Sequence, residues 1–315
     1  MPETRFVVTG SIATDHLMTF PGRIREQLIA DKLDHISLSL LVDALDVRDG
    51  GAAADIAYGL ALLGHRPLLV GAVGADFHDH GARLAALGVD TSAVHVSTTR
   101  HTARRLCTTD TDGGRLATFY PGATAEAAAI DLGEVLRRRG GADLVLIGAD
   151  DPTAMARHTR ACRALGVPFA ADPGGQLARL TGPAIRELVE GADHLFTNED
   201  AHELLLTRTG WTRDDVLRRT GVWITTLGDR GSRVERAGEP PVEVPAVPAG
   251  TVTDPAGAGG AFRAGYLASL AAGAGAERCA RAGSALAARA LSAVGSRTYT
   301  PDPGRPRAPR QPSPS

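Results

Sequence analysis

The chain has 315 residues, a length that suits one large domain or two small ones. An apolar share of 43% is ordinary for a protein with a substantial core, and a net charge of −2 gives no electrostatic grip on nucleic acid or an anionic membrane. Lys32 is the single lysine, so a lysine-based phosphate clamp elsewhere in the chain is excluded.

Strand-like and helix-like segments alternate. Residues 6–10 read as a short buried strand ending in a glycine turn, and 52–63 as an Ala/Leu helix closed by Gly64. A strand follows over 67–73 and a helix over 80–87, ended by Gly88. Residues 144–147 form a buried strand followed by a helix over 153–165; 169–171 is a strand and 185–190 a helix. Residues 194–197 and 222–227 are strands, and two Ala-rich helices close the series over 260–272 and 277–294. This rhythm predicts a mostly parallel α/β sheet covered on both faces. Residues 31–49 and 95–120 break it with β-type alternation and an Asp112-Gly113 turn, which predicts a small antiparallel sheet attached as a lid. Residues 297–315, rich in Pro, Arg and Ser, cannot bury a core and read as a disordered tail.

Cys107, Cys162 and Cys279 lack metal-like spacing and suggest reduced thiols in a cytoplasm. No signal peptide or membrane span is expected. His78-Asp79-His80 has a metal-like look, but without a third ligand it reads as surface polar sequence.

The stretch Asp254-Pro255-Ala256-Gly257-Ala258-Gly259-Gly260-Ala261-Phe262 sets three glycines before an apolar helical run. Exposed backbone N–H groups and a helix N-terminus together make an anion site. Asp15 follows the first strand, where an Asp reads as a helix or turn cap. Gly50 and Gly51 allow close backbone approach, and Asp55 sits in the first helical turn behind them.

With Val8-Thr9-Gly10-Ser11, Phe20-Pro21-Gly22-Arg23, His101-Thr102-Ala103-Arg104, Phe119-Tyr120-Pro121-Gly122 and Thr225-Thr226-Leu227-Gly228, these segments resemble the PfkB/ribokinase family of sugar and nucleoside kinases, within it the actinobacterial type of adenosine kinase. The resemblance runs to about residue 297. It implies a ribokinase-like three-layer α/β sandwich over 1–296 with a mostly parallel central sheet, a β-sheet lid from about 11–20, 33–49 and 95–121, and a homodimer formed through the lid. It also implies substrate contacts at Ser11, Asp15, Gly51, Asp55, Arg105 and Phe119, and phosphate contacts at Ala256, Gly257, Ala258, Gly259, Asn198, Thr226 and Gly228. Mg²⁺ and ATP follow by resemblance alone, and no metal ligand is assigned.

Four positions depart from the family pattern. Gly260 stands where the family has its general base, an Asp. Asp55 replaces an Asn beside the sugar, Ala201 replaces the Glu of Asn-x-x-Glu, and Arg105 replaces a lid aromatic. These departures lead to an expectation of a nucleoside- or nucleoside-monophosphate-binding enzyme whose ATP-dependent chemistry is lost or altered, 5′-dephosphorylation being one form. Asp55 and Asp254 are the candidate acid–base groups. The alternatives are a residual adenosine kinase and a silent nucleoside-binding pseudokinase.

Overall fold

The computed structural model describes residues 4–27, 38–250, 257–293 and 295–300. The strands in chain order are β1 (Phe6–Thr9), β2 (Ala13–Thr19), β3 (Ala44–Gly50), β4 (Leu68–Gly74), β5 (Asp90–Ser97), β6 (Ala103–Thr109) and β7 (Arg115–Tyr120). They continue with β8 (Leu144–Gly148), β9 (Phe169–Asp172), β10 (His194–Asn198), β11 (Val222–Thr226), β12 (Ser232–Glu235) and β13 (Val242–Val244). The helices are α1 (Ala52–Leu62), α2 (His78–Ala86), α3 (Leu132–Arg139), α4 (Pro152–Leu165), α5 (Gly182–Val189), α6 (Glu199–Thr209), α7 (Arg213–Leu217), α8 (Ala258–Ala271) and α9 (Ala276–Leu291).

Nine strands form one sheet in the order β13-β12-β11-β10-β9-β8-β1-β4-β5, in which β12 alone runs against the rest. Its central strands are apolar on both faces because both are covered. Val7, Val70, Val145 and Ile147 face one core with residues of α3 to α7, while Val8, Leu69 and Leu146 face the other with α1, α8 and α9. Local signals agree with this assembly. Asp151 accepts hydrogen bonds from the Thr153 and Ala154 N–H groups, Pro152 opens α4, and Gly166 closes it in a left-handed conformation.

The second sheet, β3-β2-β6-β7, is the lid; it is mixed rather than antiparallel as expected, because β2 and β6 pair in parallel. Its register aligns Asp15 of β2 with Arg48 of β3 and Arg105 of β6, and Arg105 with Phe119 of β7. Directly opposed residues share a face, so Asp15, Arg105 and Phe119 line one side of the lid.

Several expectations need correction. β5, assigned in part to the lid, pairs with β4 at the edge of the main sheet. Residues 33–37 of the expected lid lie outside the described residues. The tail does not begin at 297: Tyr299 is buried against Tyr58, ring centroids 5.4 Å apart, and Arg297 is buried as well. His80 is not surface polar sequence but a buried side chain in the first turn of α2. No described helix is long and apolar enough to cross a membrane.

Candidate active site

The carboxyl ends of parallel strands are where open α/β sheets bind ligands, and the functional residues gather there. Ser11 follows β1 and caps α1, its Oγ accepting from the Ala52 N–H and its carbonyl from the Ala53 N–H, each at 3.2 Å. Gly51 makes this approach possible. Its φ is +103°, and a Cβ there would lie 2.6 Å from the Ser11 carbonyl oxygen. A Cβ on Gly50 would lie 3.2 Å from Asp15 Oδ2, so the lid carboxylate sits directly over the double glycine.

Asp15 is held in a fork. Arg105 donates Nε–H to its Oδ1 and Nη2–H to its Oδ2, both at 2.9 Å. Each carboxylate oxygen keeps capacity for a further hydrogen bond, so the pair can still accept from a diol while presenting a fixed positive charge beside it. Phe119, across the strand pair from Arg105, is half exposed and offers its ring as a stacking surface.

Asp55 lies beneath the double glycine, and its N–H bonds the Gly51 carbonyl. Ser296 Oγ donates to Asp55 Oδ1 at 3.0 Å and Arg297 Nε–H donates to the same oxygen at 2.7 Å. Burial raises the Asp55 carboxyl above its ordinary range, against the lowering effect of the Arg297 charge. Gly260 faces this residue from α8, where a Cβ would lie 2.8 Å from the Cβ of Asp55. The position expected to carry the family base is therefore in contact with a carboxylate on the neighbouring helix.

The segment expected to cradle an anion opens α8. Gly257 caps α8 with φ +79°, and the N–H groups of Ala258, Gly259 and Gly260 open the helix, where none has an intrahelical acceptor. A Cβ on Gly257 would lie 2.5 Å from Cβ of Ser296, so the segment after α9 packs beside the cradle. One turn into α8, Arg263 forks onto Asp172 at the end of β9, at 2.5 and 2.7 Å, and anchors the helix to the sheet. This arrangement suits the phosphates of a nucleotide. Asp254 and Ala256 lie outside the described residues.

Asn198 and Thr226 meet at the ends of β10 and β11, and the Gly228–Arg230 turn follows into antiparallel β12. Asn198 Oδ1 is committed to the Ala201 N–H at 2.8 Å as the cap of α6, Ala201 offers no oxygen ligand, and Glu199 is paired with Arg230. Among the described residues no group of three His, Cys, Asp or Glu side chains could hold a metal. The donor set at 198–201 therefore does not fit a protein-held magnesium ion.

The family model for the pfkB family carbohydrate kinases matches residues 22–303. The chain belongs to this family. Within it, the chain is 31% identical over 229 residues to the nucleoside kinase of Methanocaldococcus jannaschii, covering 71% of this chain and 72% of that protein. The structure of the Burkholderia thailandensis nucleoside kinase with inosine is 33% identical and superposes with a TM-score of 0.83 over 94% of this chain and 93% of that one. The same enzyme with ADP-inosine gives a TM-score of 0.80. Arabidopsis thaliana ribokinase with ribose and ATP, at 23% identity and a TM-score of 0.77, shares the fold.

The structure thus joins Ser11, Asp15, Gly51, Asp55, Arg105 and Phe119 through consecutive contacts and sets Gly257 to Gly260 beside Asp55. Asn198 and Thr226 form a separate pair further along the sheet edge. Sequence reasoning missed Asp172, Arg263, Ser296, Arg297 and Asp150. Asp150 follows β8, is buried, leaves Oδ2 without a hydrogen bond among the described residues, and is pushed up to about 7 by burial. An acid just past a buried strand was the available signal for Asp150, and the Ala171-Asp172-Pro173 strand end for Asp172. Arg297 had none, being embedded in tail-like composition.

Proposed function

We propose that this chain is an ATP-dependent nucleoside kinase acting on a purine nucleoside, with Asp55 as its proton acceptor. The substrate 5′-oxygen attacks the γ-phosphorus of ATP, the bond from that phosphorus to the ADP oxygen breaks, and the hydroxyl proton passes to the Asp55 carboxylate. Asp15 takes the ribose diol, the lid face bearing Phe119 and Arg105 covers the base, and the N-terminus of α8 receives the phosphoryl charge. The nucleoside class rests on the relatives named above.

The observation that carries the reading is the 2.8 Å separation between a Cβ at Gly260 and the Cβ of Asp55. A carboxylate lost from α8 is matched by one gained across the same contact on α1, where the family has an amide. Burial makes that carboxylate a stronger base than a solvated one.

The test is turnover of inosine and adenosine with Mg-ATP, alongside AMP alone. Nucleoside monophosphate forms only in the first mixture, and Asp55→Asn lowers kcat by about 10²–10⁴-fold with KM little changed. Adenosine released from AMP without a donor would make the enzyme a phosphatase. Nucleoside binding without product would make it a silent binder. Either result overturns the proposal.

A second copy of the chain is proposed to cover the outer lid face. Leu45, Val47, Leu116 and Tyr120 stand exposed there, on the side opposite Asp15, Arg105 and Phe119.

A further inference from the structure

We infer that Arg297 is a positioning residue for phosphoryl transfer, its guanidinium orienting the Asp55 carboxylate that takes the substrate proton. This rests on the reading of Asp55 as the base. The side chain of Arg297 is 8% exposed and every edge of its fork is used. Nε–H donates to Asp55 Oδ1, Nη2–H donates to the Gly50 carbonyl at 2.6 Å, and Nη1–H donates to His80 Nε2. The last two acceptors are neutral, so they fix the plane of the guanidinium without competing for its charge.

His80 can serve as an acceptor only while its Nε2 is unprotonated. Burial and the adjacent Arg297 charge hold its imidazole down to about 3, so it stays neutral across the working range. Phe77 packs edge-on at 5.0 Å between ring centroids and fixes the imidazole in place. Asp49, 3.8 Å from His80 Nδ1, is itself forked by Arg83 at 2.8 Å twice.

The consequence falls on one oxygen. Both hydrogen bonds to Asp55, from Arg297 and Ser296, go to Oδ1. Among the described residues none donates to Oδ2, which is left to accept a proton. A lysine could supply the charge but not the three-way planar grip.

The groups facing Asp55 come from every neighbouring element. Asp15 approaches from β2 and disfavours its ionisation, Arg297 favours it, and Tyr299 lies behind on the same segment. Asp49 and His80 stand beyond Arg297, and α8 contributes only Gly260. Among the described residues, Arg297 is the cation that opposes the burial of this carboxylate.

The experiment compares the parent with Arg297→Gln, Arg297→Lys, Asp55→Asn and the double variant Asp55→Asn/Arg297→Gln, using inosine and Mg-ATP. In Arg297→Gln the acidic limb of kcat/KM moves up by at least about one pH unit, because a buried carboxylate without its cation binds its proton more tightly. In Arg297→Lys the limb stays in place while kcat falls at least about tenfold at unchanged nucleoside KM. The double variant is no slower than Asp55→Asn, since Arg297 acts only through Asp55. A folded Arg297→Gln with the parental limb overturns the inference, as does Arg297→Lys with the parental kcat or an additive double variant. If Arg297→Gln does not fold, the lysine variant decides alone. Should Asp55→Asn keep the parental kcat, the base assignment itself fails, and the double variant then reports on Arg297 separately.

Discussion

Adding a single methyl group at Gly260 probes the contact on which the base assignment rests. An ideal Cβ there would lie 2.8 Å from the Cβ of Asp55, whereas carbon atoms pack at about 3.5–4.0 Å, so α1 and α8 must part by about 1 Å. They cannot do so freely. One turn further along, a Cβ on Gly59 would lie 2.5 Å from Cβ of Ala264, so the helices are equally close there. Overpacking of this kind costs about 1–3 kcal/mol, offset by at most about 1 kcal/mol from the better helix propensity of alanine. Gly260→Ala should therefore lose about 1–2 kcal/mol and melt about 2–3 °C lower. Gly260→Asp adds a second carboxylate in a buried site, where one of the two must bind a proton. Turnover of inosine should fall rather than rise, although this substitution rebuilds the family motif. Asp55→Gly/Gly260→Asp removes the clash and leaves one carboxylate, so it should exceed Gly260→Asp in both stability and turnover. Thermal unfolding and a coupled ADP-release assay supply the readouts. A Gly260→Ala protein as stable as the parent, or a Gly260→Asp protein that is faster, would refute the packing argument and the relocated base with it.

Acid should weaken the fold. Burial holds His80 at about 3 and both His158 and His194 at about 4, so the unfolded chain binds protons that the folded one refuses, and stability drops as pH falls from about 6.5 towards 4. Each contributes about 2 kcal/mol of loss at pH 5. Asp150, raised to about 7, acts in the opposite sense by about 2–3 kcal/mol, favouring the folded state below its folded value and losing that as pH rises through 7. The three histidines outweigh it, so the urea midpoint should be lower at pH 5 than at pH 7.5; an equal or higher midpoint would contradict the assignment. For the outer lid face, Leu45→Lys/Val47→Lys should convert a dimer to a monomer in sedimentation velocity, and a parent that is already monomeric at micromolar concentration would sink the dimer.

The α/β rhythm was legible because buried parallel strands are short apolar runs and their helices carry glycine or aspartate at the ends. Gly260, Asp55, Ala201 and Arg105 stood out because each is a single residue within a segment that resembles the family's. What sequence could not supply was partnership across distance. β5 resembles a lid strand in composition and is distinguished only by its pairing with β4. His80 reads as surface polarity because the group that buries it lies 217 residues away. The contact between Gly260 and Asp55 depends on how closely two helices approach, which neither helix encodes alone.

The pairing of Arg297 with Asp55 spans 242 positions. A nascent chain can complete the helix carrying Asp55 early, yet that carboxylate meets its cation only after 242 further positions have been added. Release or proteolytic nicking just short of Ser296 would spare both sheets and most of the core while leaving the acid unaccompanied. The charge balance around Asp55 is thereby tied to synthesis having passed Arg297.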